Sequence, residues 1–338
     1  MSIEAVLAGA ILVALTAYVL GAGADFGGGV WDLLAFGPRA RAQRDLIAHA
    51  IGPIWEANHV WLILVVVLLF VGFPVGFAVI TTALHVPLTI MLFGVVLRGS
   101  AFAFRSYGPI SDARQQQWGR VFAIASLVTP VTLGASVGAI ASGAIRVRDG
   151  RPDIGFFESW AAPFPAVIGL LALGLFAFLA AVYLTLETDD VDLREDFRRR
   201  ALAAGVAVGV AAFAGLGLAA GEAPRIYAGL VRHETSLLFQ AATGVCAVAA
   251  LLALWKRRYR AARLLAIVQV VFVLWGWGGS QFPYLVPPDL TFADAAAPAA
   301  VLRLLVLALA VGAAVLVPSL VYLFRVFKAG RPSHSPTS

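Results

Sequence analysis

Runs of about twenty apolar residues dominate this chain, at 4–24, 52–73, 77–97, 121–144, 162–186, 201–220, 235–254, 262–282 and 300–324. A helix of that length crosses the hydrocarbon core of a bilayer. Inside lipid, every backbone N–H and C=O must be bonded within its own segment or a closed barrel. Barrel strands need only about ten alternating residues. The runs are longer and do not alternate, so they predict an all-α integral membrane protein of nine transmembrane helices. Composition agrees: 61% of the 338 residues are hydrophobic and 13% charged, against roughly a quarter charged in soluble domains.

The charged residues fix a predicted orientation, because cytoplasmic loops of membrane proteins collect Lys and Arg. Alternate connections carry the basic clusters Arg39/Arg41/Arg44, Arg98/Arg105/Arg114/Arg120, Arg194/Arg198/Arg199/Arg200, Lys256/Arg257/Arg258/Arg260/Arg263 and Arg325/Lys328/Arg331. The intervening connections hold only Arg146, Arg148, Arg151, Arg225 and Arg232. An outside N-terminus and a cytoplasmic C-terminus follow, consistent with an odd number of spans. Residues 1–330 read as one transmembrane helical domain, and the Pro/Ser-rich segment 331–338 as a disordered cytoplasmic tail. The first run lacks the basic leader of a secretory signal and reads as a retained helix.

Composition also excludes several functions. The net charge of +6 could suggest nucleic acid, but the arginines sit between apolar runs, where membrane topology accounts for them. The single cysteine, Cys246, forms no intrachain disulfide and no thiolate metal centre. Haem needs axial His, Met or Cys. The five histidines and two methionines offer no pair placed on facing helices. No Walker loop or dinucleotide fingerprint is present. No cofactor or metal is therefore expected on this chain.

The chemistry-bearing stretch is Gly52-Pro53-Ile54-Trp55-Glu56-Ala57-Asn58-His59-Val60-Trp61, at the mouth of the second run. An acid at membrane depth costs about 2.5–3.5 kcal/mol on insertion scales, and proton or ion handling is the default reason to keep one. Glu56 and His59 are three apart and share a helix face, so they could relay a proton, His titrating near neutral pH. The alternative is an interfacial glutamate that reaches water beside the interfacial tryptophans Trp55 and Trp61. Asp25 lies among five glycines in Gly21–Gly29 and reads either as an acidic cap at a helix end or as a buried carboxylate facing a partner helix. Arg98 and Arg105, seven apart on one face, either pair with Glu56 or Asp25, bind lipid phosphate, or snorkel as positive-inside anchors. His85 reads as a packing residue at membrane depth.

Three separated segments resemble subunit II of the cytochrome bd-type quinol oxidases. Gly23-Ala24-Asp25-Phe26-Gly27-Gly28-Gly29 is similar to the family's G-F-D-x-G-V-G. Ile51 to Leu62 is similar to I-G-P-x-W-D-x-N-x-V-W-L. Arg98-Gly99-Ser100-Ala101-Phe102-Ala103-Phe104-Arg105 is similar to R-G-x-A-F-E-F-R, with a weaker match at Phe282–Pro287. The resemblance implies a bacterial inner-membrane complex in which a haem-bearing subunit I oxidises quinol and reduces dioxygen to water. This chain would be the non-haem scaffold that helps line a cytoplasmic proton path. Glu56 and Asp25 match the family's intramembrane acids, with Trp55 and Asn58 beside the first. The resemblance leaves room for a small single-helix accessory subunit and for a quinone or lipid held structurally. Glu56 stands where the family has Asp, His59 is peculiar to this chain, and Ala103 replaces a Glu. A stand-alone ion or small-molecule transporter, which also needs intramembrane acids, is the competing reading.

Overall fold

A computed structural model describes residues 2–51, 55–107, 112–231 and 234–329, the side chains of 51, 55–57, 105–107, 112–116, 234–236 and 323–329 excepted. Thirteen helices run in the order α1 (Ile3–Leu33), α2 (Ala40–Ile51), α3 (Trp55–Gly72), α4 (Pro74–Ala83), α5 (His85–Tyr107), α6 (Asp112–Ser142), α7 (Pro163–Leu184), α8 (Val191–Glu222), α9 (Pro224–Val231), α10 (Glu234–Trp255), α11 (Tyr259–Gln281), α12 (Phe292–Ala295) and α13 (Ala299–Ala329). Two small antiparallel hairpins, β1 (Val147–Arg148) with β2 (Arg151–Pro152) and β3 (Tyr284–Val286) with β4 (Leu290–Thr291), interrupt them. Among the described residues eight helices are long and apolar enough to cross a membrane. The number is nine if α3 and α4, bent by 119°, count as one span.

The bend corrects one sequence expectation. The run at 77–97 is not a single span: its first part is the short helix α4, and α5 carries the crossing. Proline explains both breaks. Pro74 is the first residue of α4 and Pro87 lies in the first turn of α5, positions where a missing N–H does no harm but an upstream helix cannot continue. His85 consequently stands at the start of α5 rather than in the middle of a span. Its ring is exposed, edge-on to Phe156 at 4.6 Å, with Nδ1 2.9 Å from the Thr82 carbonyl.

Helix α1 is longer than its apolar run. Ser2 caps it, accepting from the Ala5 amide at 3.3 Å, and it continues through all five glycines to Leu33. Asp25 is therefore no helix cap; it lies within α1, eight residues before its end, about 12 Å along the axis. Glycine weakens a helix by about 1 kcal/mol relative to alanine, and the gain here is proximity. A methyl group at Gly27 would overlap the Phe176 carbonyl and Ala180 of α7, and one at Gly29 would overlap Ser126 of α6. Helix α7 is buried almost continuously from Leu175 to Val182. Trp31 closes the contact, its indole N–H donating to the Ala177 carbonyl at 2.8 Å.

The two ends of the bundle differ. At one end Leu7, Leu68, Phe73, Val79, Ile145 and Val286 pack the hairpins, α4 and α12 together. There Asp289 accepts from Arg146 Nε and Nη2, at 2.8 and 3.0 Å, and from the Val147 amide at 3.0 Å. The capping box of Thr291 and Asp294 starts α12. At the other end Asp196 accepts from Arg39 at 2.9 and 2.7 Å and from Gln43 at 2.8 Å. Arg200 donates to Gln43 and to the Leu34 carbonyl that ends α1. These arginines tie α1, α2 and α8 to one another as well as marking a membrane side.

Two outcomes follow from this packing. Gly27→Ala lowers the thermal midpoint of the purified protein, overpacking at a close contact costing about 1–3 kcal/mol. Gly9→Ala, where nothing lies within 4 Å, does not. The second outcome concerns the hairpin clasp. Burial pushes the Asp289 carboxyl up, but the Val147 amide and the Arg146 and Arg225 charges outweigh it and hold the group below the usual carboxylate range. Its stabilisation is thus complete above the ordinary carboxylate pKa and lost as pH falls through the lowered value. Once corrected for the intrinsic pH dependence of exchange, hydrogen exchange at the Val147 amide is slow near neutral pH and fast in acid. In Asp289→Asn that acid-dependent loss of protection disappears.

Candidate functional site

The acid, amide, imidazole and guanidinium singled out in the sequence meet where α1, α3, α5 and α6 adjoin. Asp25 is 3% exposed and accepts a hydrogen bond from Asn58 Nδ2 at 2.5 Å. Thirty-three residues separate the two in sequence. Gly21, one turn before Asp25, makes room for this contact, since a methyl there would collide with the Asn58 amide oxygen. A charge-assisted bond of this kind is worth about 1.5–3 kcal/mol. It offsets part of the cost of holding a carboxyl away from water.

Arg98 is 1% exposed. It does not snorkel to an interface. Its guanidinium carbon lies 4.7 Å from the Phe26 ring centre and 4.9 Å from that of Phe122. Its Nε donates to Ser126 Oγ at 3.2 Å, and that hydroxyl donates to the Phe122 carbonyl at 2.7 Å. A desolvated cation over an aromatic face gains about 2 kcal/mol, so two faces and one hydroxyl replace much of the lost hydration. Among the described residues, Asp25 and Tyr18 on α1 and His59 on α3 are in electrostatic range of Arg98.

His59 is half-buried on α3, its ring 6.2 Å from Tyr18 and 6.3 Å from Phe26. Trp61 is partly buried and packs on the main core cluster around Phe26 and Phe176. The backbone of Trp55 and Glu56 opens α3 and that of Arg105 lies near the end of α5. The side chains of Trp55, Glu56 and Arg105 lie outside the described residues. The structure thus brings together Asp25, Asn58, His59 and Arg98. Among the described residues, no group of three or more His, Cys, Asp and Glu side chains could hold a metal ion.

Three participants escaped sequence reasoning. Tyr18 sits seven residues before Asp25, two turns along the same face, and that spacing was a usable signal. Ser126 and Phe122 had none, because an isolated serine or phenylalanine inside an apolar run does not announce its neighbour. The arrangement can carry charge and protons: a buried carboxyl, a buried phenol and a half-buried imidazole lie around one buried cation. Arg98→Leu removes the countercharge from a buried carboxyl, a change that typically costs about 3–5 kcal/mol. It is expected to lower the thermal midpoint and the yield of the purified protein, while Arg98→Lys recovers part of both.

A family model described as cytochrome bd terminal oxidase subunit II matches residues 3–327. The chain is 23% identical over 321 residues to a putative cytochrome bd menaquinol oxidase subunit II of Bacillus subtilis (strain 168), covering 92% of this chain and 91% of that protein. It is 33% identical over 113 residues to cytochrome bd ubiquinol oxidase subunit 2 of the same organism, but spans only 32% of that relative. With cytochrome bd-I ubiquinol oxidase subunit 2 of Escherichia coli (strain K12) it shares 27% over 180 residues, spanning 46% of that protein. The fold is that of a chain in the bd oxidase structure from Geobacillus thermodenitrificans, with TM-score 0.83, 22% identity and coverage of 98% of this chain and 100% of that one. With a family match over nearly its whole length and a bundle of the same architecture, the chain belongs to the cytochrome bd terminal oxidase subunit II family.

Proposed function

We propose that this chain is the non-haem subunit II of a membrane-bound quinol oxidase and that its buried polar cluster forms part of a proton path toward a haem-bearing subunit I. The carrying observation is the Asp25–Asn58 pair with His59 and Arg98 beside it, within the apolar bundle. Intramembrane ionisable groups mark ion and proton pathways by default, because nothing else offsets their cost. Family membership supplies the reaction: subunits of this kind serve complexes that oxidise quinol and reduce dioxygen to water. Reducing dioxygen takes up protons, and the arginine-rich end of the bundle is their entry side. That end faces the cytoplasm by the positive-inside rule.

Each residue has a distinct part. Glu56, at the start of α3, receives protons near the arginine-rich end. Asp25, held by Asn58, and His59 carry them deeper into the bundle. Arg98 fixes the local charge and packs α5 against α1 and α6. Trp55, Trp61 and Arg105 frame the entry. The haems sit in the partner subunit. A small single-helix accessory subunit, lipid and a structural quinone are further partners that the same assembly accommodates. Transport by the chain alone is not favoured, since the match in family and in fold over nearly the whole chain is to bd oxidases.

Glu56→Gln tests the path. Removing the titratable group slows oxygen consumption of the assembled complex by about a hundredfold, the scale of a lost acid–base group, with haem content unchanged. Normal turnover in that variant takes Glu56 out of the path.

A further inference from the structure

The turn between α10 and α11 opens the segment Lys256-Arg257-Arg258-Tyr259-Arg260-Ala261-Ala262-Arg263, five cations in eight residues with no acid among them. The backbone ends α10 sharply. Arg257 has φ 54°, its N–H donates to the Leu254 carbonyl at 3.1 Å, and the Arg258 N–H donates to that of Ala253 at 2.7 Å, the bonding pattern of a Schellman helix end. Two of the five charges are used within the chain. Arg257 meets Glu195 of α8 at 3.6 Å, the acid that also pairs with Arg198 and Arg199, and Arg263 lies 4.9 Å over the Tyr183 ring of α7. These contacts hold the turn on the bundle. Lys256, Arg258 and Arg260 are exposed, and among the described residues none of them meets an acid or an aromatic face.

Directly on the membrane side of these charges the surface is apolar. Trp255 is 72% exposed, Leu252 53% and Leu264 63%. Val248, Leu252 and Lys256 follow one another at four-residue intervals on and just beyond α10, and Arg260 and Leu264 do so on α11. Each helix therefore carries an apolar stripe that ends in a cation. We propose that this turn is a docking surface for an anionic phospholipid of the adjoining leaflet. The phosphate lies among Lys256, Arg258 and Arg260, and the acyl chains lie along the stripes beside Trp255. Charge selects the headgroup: three uncommitted cations attract a net anion, whereas the ammonium of a zwitterionic headgroup competes with them for its own phosphate. The stripes select a lipid over a free phosphate ion, which would use the cations and leave the apolar surface uncovered. An indole at this level belongs to the membrane interface. The inference goes beyond the proton path and does not depend on it. It rests on the bundle's lying in a membrane with this turn at the arginine-rich end.

The probe is a phospholipid brominated on its acyl chains, because bromine quenches indole fluorescence at short range. The assembled complex is placed in phosphatidylcholine nanodiscs that carry a small fraction of brominated phosphatidylglycerol or, in parallel, of brominated phosphatidylcholine. The Trp255 signal is the difference from Trp255→Phe. The expected result is stronger quenching of Trp255 by the phosphatidylglycerol, a preference that salt weakens. The combined variant Lys256→Gln, Arg258→Gln, Arg260→Gln lowers the apparent affinity for phosphatidylglycerol about fivefold per charge removed. The variant Arg258→Lys, Arg260→Lys keeps the preference. Equal quenching by the two lipids overturns the proposal. So does a preference that survives the triple glutamine substitution. Inorganic phosphate that abolishes the preference at matched ionic strength assigns the cations to the free anion and also overturns it. Lipid quenching and the turnover of Glu56→Gln are read independently, so the docking surface and the proton path fail separately.

Discussion

The close approach of α1 to α7 is the contact on which the rest of the bundle depends. Glycines at 23 and 27 set the α1 backbone against Phe176 and Ala180, and Trp31 bonds to the α7 backbone at Ala177. Without a hydrophobic drive between helices in lipid, such small-residue contacts and the hydrogen bonds they permit hold helices together. With α1 seated in this way, its remaining faces meet α3 and α6. Asp25 then faces Asn58, Gly29 lies against Ser126, and Phe26 lies over Arg98. The glycines that weaken α1 as an isolated helix are what make it the hub of the structure.

Charge is managed differently inside the bundle and at its ends. At the arginine-rich end, Asp196 gathers Arg39 and Gln43, and Arg200 caps the last turn of α1 through the Leu34 carbonyl. These groups are near water, and their pairs gain little individually. Inside, Asp25 and Arg98 are compensated by neighbours of lower polarity: an amide, a hydroxyl and two aromatic rings. Such an arrangement keeps opposite charges in range without closing them into a direct pair at Arg98 Nη2. A tightly closed pair would hold its protons fixed, whereas an open one can exchange them.

The family's chemistry and the site's geometry are complementary. Subunit II lacks an obvious set of redox ligands in its sequence, and its distinctive residues are titratable rather than metal-binding. The proton-path role proposed for the cluster draws on its chemistry, a buried acid and amide with an imidazole and a phenol beside them. His59, its ring 6.2 Å from that of Tyr18 and 6.3 Å from that of Phe26, places an imidazole at the edge of the cluster.

Most of the helices were legible in the sequence, because in lipid a backbone can satisfy its own hydrogen bonds only within a segment, and apolar run length reports that directly. The expensive residues Asp25, Glu56 and Arg98 were legible for the same reason: a charge inside an apolar run stands out. Which of them meet was not legible. Asn58 reaches Asp25 across 33 residues and Arg98 reaches Ser126 across 28, and such pairings are set by how helices pack, not by any local pattern. The run at 77–97 is broken where its hydropathy is continuous, because hydropathy does not register the direction of a chain, whereas Pro74 and Pro87 redirect it. The reading of Arg98 as an anchor failed because a long side chain can turn inward as easily as outward until its aromatic neighbours are in place. By itself, then, the sequence determined a helical membrane protein with costly polar groups in its spans. Only the tertiary structure decided that these groups form one cluster, because helix formation is local and the choice of partner is not.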